Sequence, residues 1–307
     1  MAEAAHNWPA QKLLDYGEAV LGSLRPDMVY VGGTDTGRWI PTLLNETSDG
    51  EHHIVLTQNG LADATYLDYL DFQYHDKLST LTSLDSQNSF LDYLADAQKR
   101  VLHDQQFPDE PKQLRPGEDV KITDERVQVS GQVAVMAINE KLLQTLLEKN
   151  PTVSFALEES FPLKSTYPDA VPNGPLMELR APDAASAFTA DRATQAVDYW
   201  NAATQRLLAD PEATGSPDIM KSYSHDAMAQ ANLLAAHNYA AQAEQAYQLA
   251  SQLWPANPEP IGHLSDMLNQ QGRTAEAQQL VADFLRNHPE AKADMEKPGW
   301  SGSWKVH

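Results

Sequence analysis

The residues whose types and spacing suit chemistry fall in three short stretches. The first is Gly32-Gly33-Thr34-Asp35-Thr36-Gly37-Arg38, which follows an apolar, β-branched run from Met28 to Val31 and precedes the amphipathic Trp39, Ile40, Leu43 and Leu44. That is the pattern of strand, tight turn and helix. Glycines let a ligand approach the main chain. Thr34, Asp35 or Thr36 can cap the helix. A helix start with free N–H groups beside an arginine is an anion seat. The bland alternative is a strand-to-helix turn in which Asp35 bonds its own backbone. The Gly-Lys-Ser/Thr ending of a Walker loop is missing, and the glycine spacing is not that of the dinucleotide fingerprint.

The second stretch is Gln58-Asn59 with Asp63, after the buried-strand run His53 to Thr57 and before a helix over Leu61 to Tyr74. Two strand–turn–helix units in succession argue for parallel strands, with ligands beyond the strands' carboxyl ends. On that reading both turns share one sheet edge. The third is Glu158-Glu159, delivered by a strand over Val153 to Leu157. Adjacent strand residues face opposite ways, so one of the two glutamates serves a given site. Asp35, Arg38, Asn59, Asp63, Glu158 and Glu159 together can hold a divalent ion or do acid–base work. Against this stands capping by Asp35 and Asp63. No metal or cofactor motif is present, so no cofactor is expected. His52 and His53 read as strand entry, and Ser130-Gly131-Gln132 as a helix cap.

Composition narrows the partners. The chain has 307 residues, 22 basic and 43 acidic side chains, a net charge of −21 and no cysteine. So acidic a surface repels nucleic acid and anionic lipid. Disulfides, thiolate zinc and a cysteine nucleophile are excluded. No apolar run reaches the roughly 20 residues of a membrane helix, so this chain is not expected to insert in a membrane. No signal peptide is visible.

The elements that must position these residues follow in order. Pro9 to Leu24 reads as a helix with Leu13, Leu14, Ala19, Val20 and Leu21 inward. Within the helix over Leu61 to Tyr74, Leu61, Thr65, Leu67 and Leu70 point inward. Lys77 to Leu84 adds a strand and turn. Ser89 to Gln105 is a helix on Phe90, Leu91, Leu94, Ala97, Val101 and Leu102. A hairpin covers Val120 to Ser130. A helix follows to Asn150, on Val135, Ile138, Leu142, Leu146 and Leu147. Phe161 to Pro175 is a loop and Leu176 to Arg180 the last strand. These give an α/β domain over 1–182 with an open, mainly parallel, Rossmann-like sheet. A linker spans 183–190, and an all-α domain spans 191–307. Trp200, Trp254, Trp300 and Trp304 read as helix packing, the last two in an exposed tail. In the tail Ala243 and Ala277, and Pro255 and Pro289, stand 34 residues apart. That period, over about 224–290, is similar to the tetratricopeptide repeat, a protein-binding helix pair.

With both halves in view, the chain resembles the soluble C-terminal region of bacterial multi-pass membrane proteins related to transmembrane protein O-mannosyltransferases. The matching segments are Gly32 to Thr42, Leu56 to Leu70 (LTQNGLADATYLDYL), Asp85-Ser86-Gln87, Arg115 to Val120, Val127 to Asn139 and Glu158 to Leu163. They run in order over about half the chain. It departs from the family at Thr36, where proline is usual, and at Gly60, where alanine is usual. The resemblance implies sugar transfer by a membrane bundle that lies outside this sequence, so no catalytic residue carries over.

The expected function is a non-catalytic accessory module of a membrane glycosyltransferase-like system. It binds a glycan, sugar-phosphate or acceptor protein at the Gly32–Arg38 edge and a protein partner through the helical repeat. One rival is a free-standing transferase or hydrolase at the same edge. Another is a structural adaptor. The location is periplasmic if the chain is a trimmed piece of the resembled family, cytoplasmic if it is whole.

Overall fold

The computed structural model describes residues 10–50, 52–115, 117–123, 126–161, 163–179 and 187–295. The elements in chain order are α1 (Ala10–Leu21), β1 (Val29–Gly32), α2 (Asp35–Thr47), β2 (Ile54–Thr57), a 3-10 turn (Gln58–Gly60), α3 (Ala64–Tyr74), α4 (Ser83–Gln106), β3 (Asp119–Thr123), β4 (Arg126–Ser130) and α5 (Gln132–Lys149). Then come β5 (Phe155–Leu157), β6 (Val171–Asn173), β7 (Leu176–Leu179), α6 (Ala190–Ala209), α7 (Pro211–Thr214), α8 (Pro217–Ala236), α9 (Ala240–Leu253), α10 (Pro258–Gln270), α11 (Thr274–Asn287) and α12 (Lys292–Met295). No helix among the described residues is long and apolar enough to cross a membrane.

The chain forms two compact units, one ending at Thr57 and resuming at Thr152, the other spanning Gln58 to Pro151. In the first, five strands are ordered β2-β1-β5-β7-β6. β1 pairs in parallel with β2 and β5, and β7 runs antiparallel between β5 and β6. β1 and β5 are buried at every position, so they read as continuous apolar runs rather than alternating ones. β6 falls inside the stretch expected to be loop. It pairs at its Pro172 because it is an edge strand, where a missing N–H is tolerated.

The expected boundary at 183–190 lies within this first unit. Tyr30, Ala156 and Leu176 of the sheet share one core with Val197 and Trp200 of α6, Tyr223 and Ala227 of α8, and Leu264 of α10. Residues 183–186, Trp300, Trp304 and the hairpin tip at Asp124-Glu125 lie outside the described residues. The 34-residue period recurs in the backbone. α9 and α11 begin at 240 and 274, and α8 and α10 end at 236 and 270. Each helix pair turns through a left-handed residue, Asn238 (φ 63°) and Gly272 (φ 78°). The following N–H in each, Tyr239 and Arg273, bonds back to Leu234 and Leu268, the helix-closing geometry expected of such a residue.

In the second unit the hairpin β3–β4 pairs antiparallel. α4 begins at Ser83, six residues before the expected start. Thr82 caps it in a reciprocal pair with Asp85, and no strand forms over Lys77 to Leu84. α3 begins at Ala64, because Asp63 caps it. Tyr93 and Ala97 of α4 pack on Ala134 of α5. Arg100 holds Glu118 through two guanidinium nitrogens, one at 2.7 Å, and Tyr93 donates to the same carboxylate. Phe90, Leu91 and Leu102 of α4, Val135 of α5 and Thr65 of α3, all expected inward, are exposed. Each helix buries one narrow face, and these residues sit off it.

A candidate site at the sheet edge and a cleft between helices

The first unit places the Gly32–Arg38 turn at the carboxyl ends of β1 and β5, and the anion seat there is filled by the chain itself. Gly33 N–H and Thr34 N–H donate to Glu158 Oε2 at 2.6 and 2.7 Å, and the Thr34 hydroxyl donates to Oε1. Glu158 directly follows β5, and β5 lies beside β1, so the sheet's order delivers it. It is 1% exposed. A Cβ at Gly37 would stand 2.2 Å from that carboxyl group, and one at Gly33 would stand 2.5 Å from the Glu158 carbonyl oxygen. Gly37 is therefore explained by the internal carboxylate, and Gly33 by the close approach of the Glu158–Ser160 main chain.

Thr34, not Asp35 or Thr36, caps α2: its oxygen accepts from Gly37 N–H at 3.0 Å. Asp35 is instead an exposed partner of Arg38 at 2.5 Å. Arg38 also lies over the Trp39 ring at 5.0 Å. Thr36 reaches across to Ser222 of α8 at 2.6 Å. Ser222 already donates to Asp218 O, so Thr36 is the donor. Glu159 turns to a different loop, accepting from Leu163 N–H at 3.1 Å and the Tyr167 hydroxyl at 3.0 Å. Of the six residues expected to converge, the four in the first unit are thus divided. Asp35 and Arg38 pair at the surface, and Glu158 and Glu159 serve separate buried networks. Gln58, Asn59 and Asp63 belong to the second unit, where Asp63 caps α3 through Thr65 and Tyr66 N–H. Ser130 donates to Asp119 at 2.5 Å, and Gly131 caps α5 without a side-chain bond. Among the described residues no group of three or more His, Asp or Glu side chains is arranged to hold a metal.

Behind the turn lies a buried polar layer that sequence reasoning missed. Tyr30 donates to Gly37 O, and Tyr16 donates to Asp226 Oδ2 at 3.0 Å. Burial and then the nearby Glu158 charge hold the Asp226 carboxyl well above its ordinary range, against the Tyr16 hydrogen bond. The same two causes raise Tyr30, as burial, Asp226 and Glu158 raise Tyr16. Asp226 sits mid-helix in α8, 210 residues from Tyr16, and no local signal marks it. A second buried group surrounds Glu159: Tyr247 donates to Asn232 at 2.8 Å and stacks on His263 at 5.8 Å. Burial, helped by Lys164, pushes the His263 imidazole down to about 4.

A separate cleft of about 450 Å³ opens between α1, α6 and α8. Ala19, Leu207, Ile219 and Tyr223 form its apolar part. Lys12 bridges Asp15 at 3.2 Å and Asp210 at 2.7 Å, and all three line the cleft. Arg206 and Glu18 complete the lining, and neither forms an ion pair among the described residues. Its size lies within the range of small-ligand sites. No protein-family model matches this chain, no curated protein matches it, and no solved structure matches it.

Proposed function

We propose that this chain is a non-catalytic binding module, the accessory part of a membrane glycosyltransferase-like system that its motif resemblance implies. The observation that supports it is the occupation of the Gly32–Arg38 seat by Glu158. The main-chain donors that would hold a phosphate or a developing oxyanion are already spent on an internal carboxylate. Arg38 beside them is paired with Asp35. Binding at this edge therefore falls to its outer surface, where Trp39 is 61% exposed beside Arg38. An exposed indole suits a sugar face or an acceptor peptide better than a phosphate. The 34-residue helix pairs, in the tetratricopeptide-like reading, supply the surface for a protein partner.

A second reading is favoured by the cleft. A lining that combines the Arg206 guanidinium and the Glu18 carboxylate, neither in an ion pair among the described residues, with apolar side chains suits a small zwitterion such as an amino acid. Asp226 does not line this cleft, so its carboxyl group offers no acid to a molecule bound there.

One thermal-shift panel separates the readings, using inorganic phosphate, nucleotide sugars, sugar phosphates, oligosaccharides, short peptides and amino acids on the wild type, Arg38→Ala, Trp39→Ala and Arg206→Ala. Ligand at 100 times its dissociation constant adds about 2.7 kcal/mol. The proposal expects stabilisation by oligosaccharide or peptide that is lost in Trp39→Ala, with none from inorganic phosphate. Stabilisation by sugar phosphate that disappears in Arg38→Ala overturns it and restores the edge as an anion site. An amino-acid shift lost only in Arg206→Ala moves the binding site to the cleft.

A further inference from the structure

The outward face of α4 is uncharged and largely apolar where a solvated helix would carry charge. The helix is 24 residues long, about 36 Å. Ser89, Tyr93, Ala97, Arg100 and Val101 form its buried face. On the opposite side, at alternating spacings of four and three, stand Leu84, Asn88, Leu91, Ala95, Gln98 and Leu102. Leu84 is 60% exposed, Leu91 50% and Leu102 47%, and Ala95 is exposed as well. This is the seam spacing of a two-stranded coiled coil, with one asparagine inside it. Beside the seam, on a single flank and seven residues apart, lie Asp92 and Lys99. Both are exposed, and neither forms an ion pair among the described residues. Seven residues is too far for them to pair within one helix.

We propose that this face docks a second copy of the chain, α4 against α4, in antiparallel register. Charge decides the occupant and the direction. A two-fold axis across the middle of α4 sets Leu91 of one copy against Leu102 of the other and Ala95 against Gln98. That register brings Asp92 of each copy beside Lys99 of the other, so two lone charges become two intermolecular ion pairs. In a parallel pair Asp92 faces Gln87 and Lys99 faces Leu94, and both charges stay unpaired. The contact is isologous, as a closed two-fold dimer requires.

The test is the mass of the full chain by light scattering after gel filtration, and its concentration dependence by sedimentation. The expected species has twice the chain mass of 33.9 kDa. Leu91→Asp should give a monomer with an unchanged circular dichroism spectrum, since the side chain is exposed. Asp92→Lys should weaken the dimer about tenfold, and adding Lys99→Asp should restore it. A wild type that stays monomeric at the highest soluble concentration overturns the proposal, and so does a dimer that Leu91→Asp leaves intact. A dimer broken by Leu91→Asp but indifferent to both charge variants overturns the antiparallel register.

Discussion

The two compact units solve the same burial problem differently. The first wraps helices α1, α6, α8, α9 and α10 around both the sheet and one another, and its core is continuous from Leu13 to Ala277. Of the large apolar side chains exposed among the described residues, it contributes Trp39, Leu43 and Leu208. The second unit, a third of the chain, contributes Tyr69, Phe72, Leu84, Phe90, Leu91, Leu102, Phe107 and Val135. A small unit has too little interior for its apolar residues. It also buries an ion pair, Arg100 with Glu118, that ties α4 to the segment before β3. Apolar side chains on its surface are the resource for association, as extended exposed apolar faces generally are.

This contrast can be broken at its strongest point first. Trp200 is fully buried at the centre of the first unit. Trp200→Ala should cost about 3–5 kcal/mol, read as a fall in the denaturation midpoint. In the second unit the comparable blow is electrostatic. Arg100→Ala leaves the Glu118 carboxylate, whose side chain is wholly inaccessible, without its cation. A loss of about 3–5 kcal/mol is expected. Arg100→Met combined with Glu118→Leu should recover most of it, by double-mutant cycle. Equal losses from both Arg100 variants would remove the distinction between the units.

pH sharpens the comparison further, because the first unit carries titratable groups buried without counter-charge. Asp226 holds its proton to higher pH folded than unfolded, so stability should fall as pH rises above its ordinary value of 3.8. Asp226→Asn keeps an acceptor for Tyr16 and should flatten that slope, which a pH series of thermal midpoints will show. His263 acts in the opposite direction. It is folded as the neutral ring, with its value near 4 against 6.5 unfolded, so stability should fall as pH drops from about 6.5 towards 4. His263→Gln should remove that decline. The smallest effect belongs to the surface: Leu91→Asp should change monomer stability by less than about 0.5 kcal/mol while abolishing association. A larger loss would place Leu91 in the fold rather than on a docking face.

What could be read from the chain alone was local. The β-branched run at Val29 to Val31, the cap candidates Thr34 and Asp63, and the 34-residue spacing of Ala243 and Ala277 each depend on a few neighbouring residues. Their strands, helix starts and helix pairs follow without knowledge of the rest. The hairpin over Val120 to Ser130 was legible for the same reason. Inward faces were only half legible. In α4, Phe90, Leu91, Ala97 and Leu102 are all apolar at helical spacing, and periodicity cannot say which of two faces meets a core.

The tertiary structure decided what the glycine turn does. Gly32 to Arg38 offers two amides to any anion, and sequence order makes no distinction between a phosphate and a glutamate 124 residues away. Only the pairing of β1 with β5 brings Glu158 to Thr34. Only the packing of α1 and α8 on that sheet seals Tyr16 with Asp226 behind it. Burial is a property of the assembled core, and burial is what commits these charged and hydroxyl groups to structure.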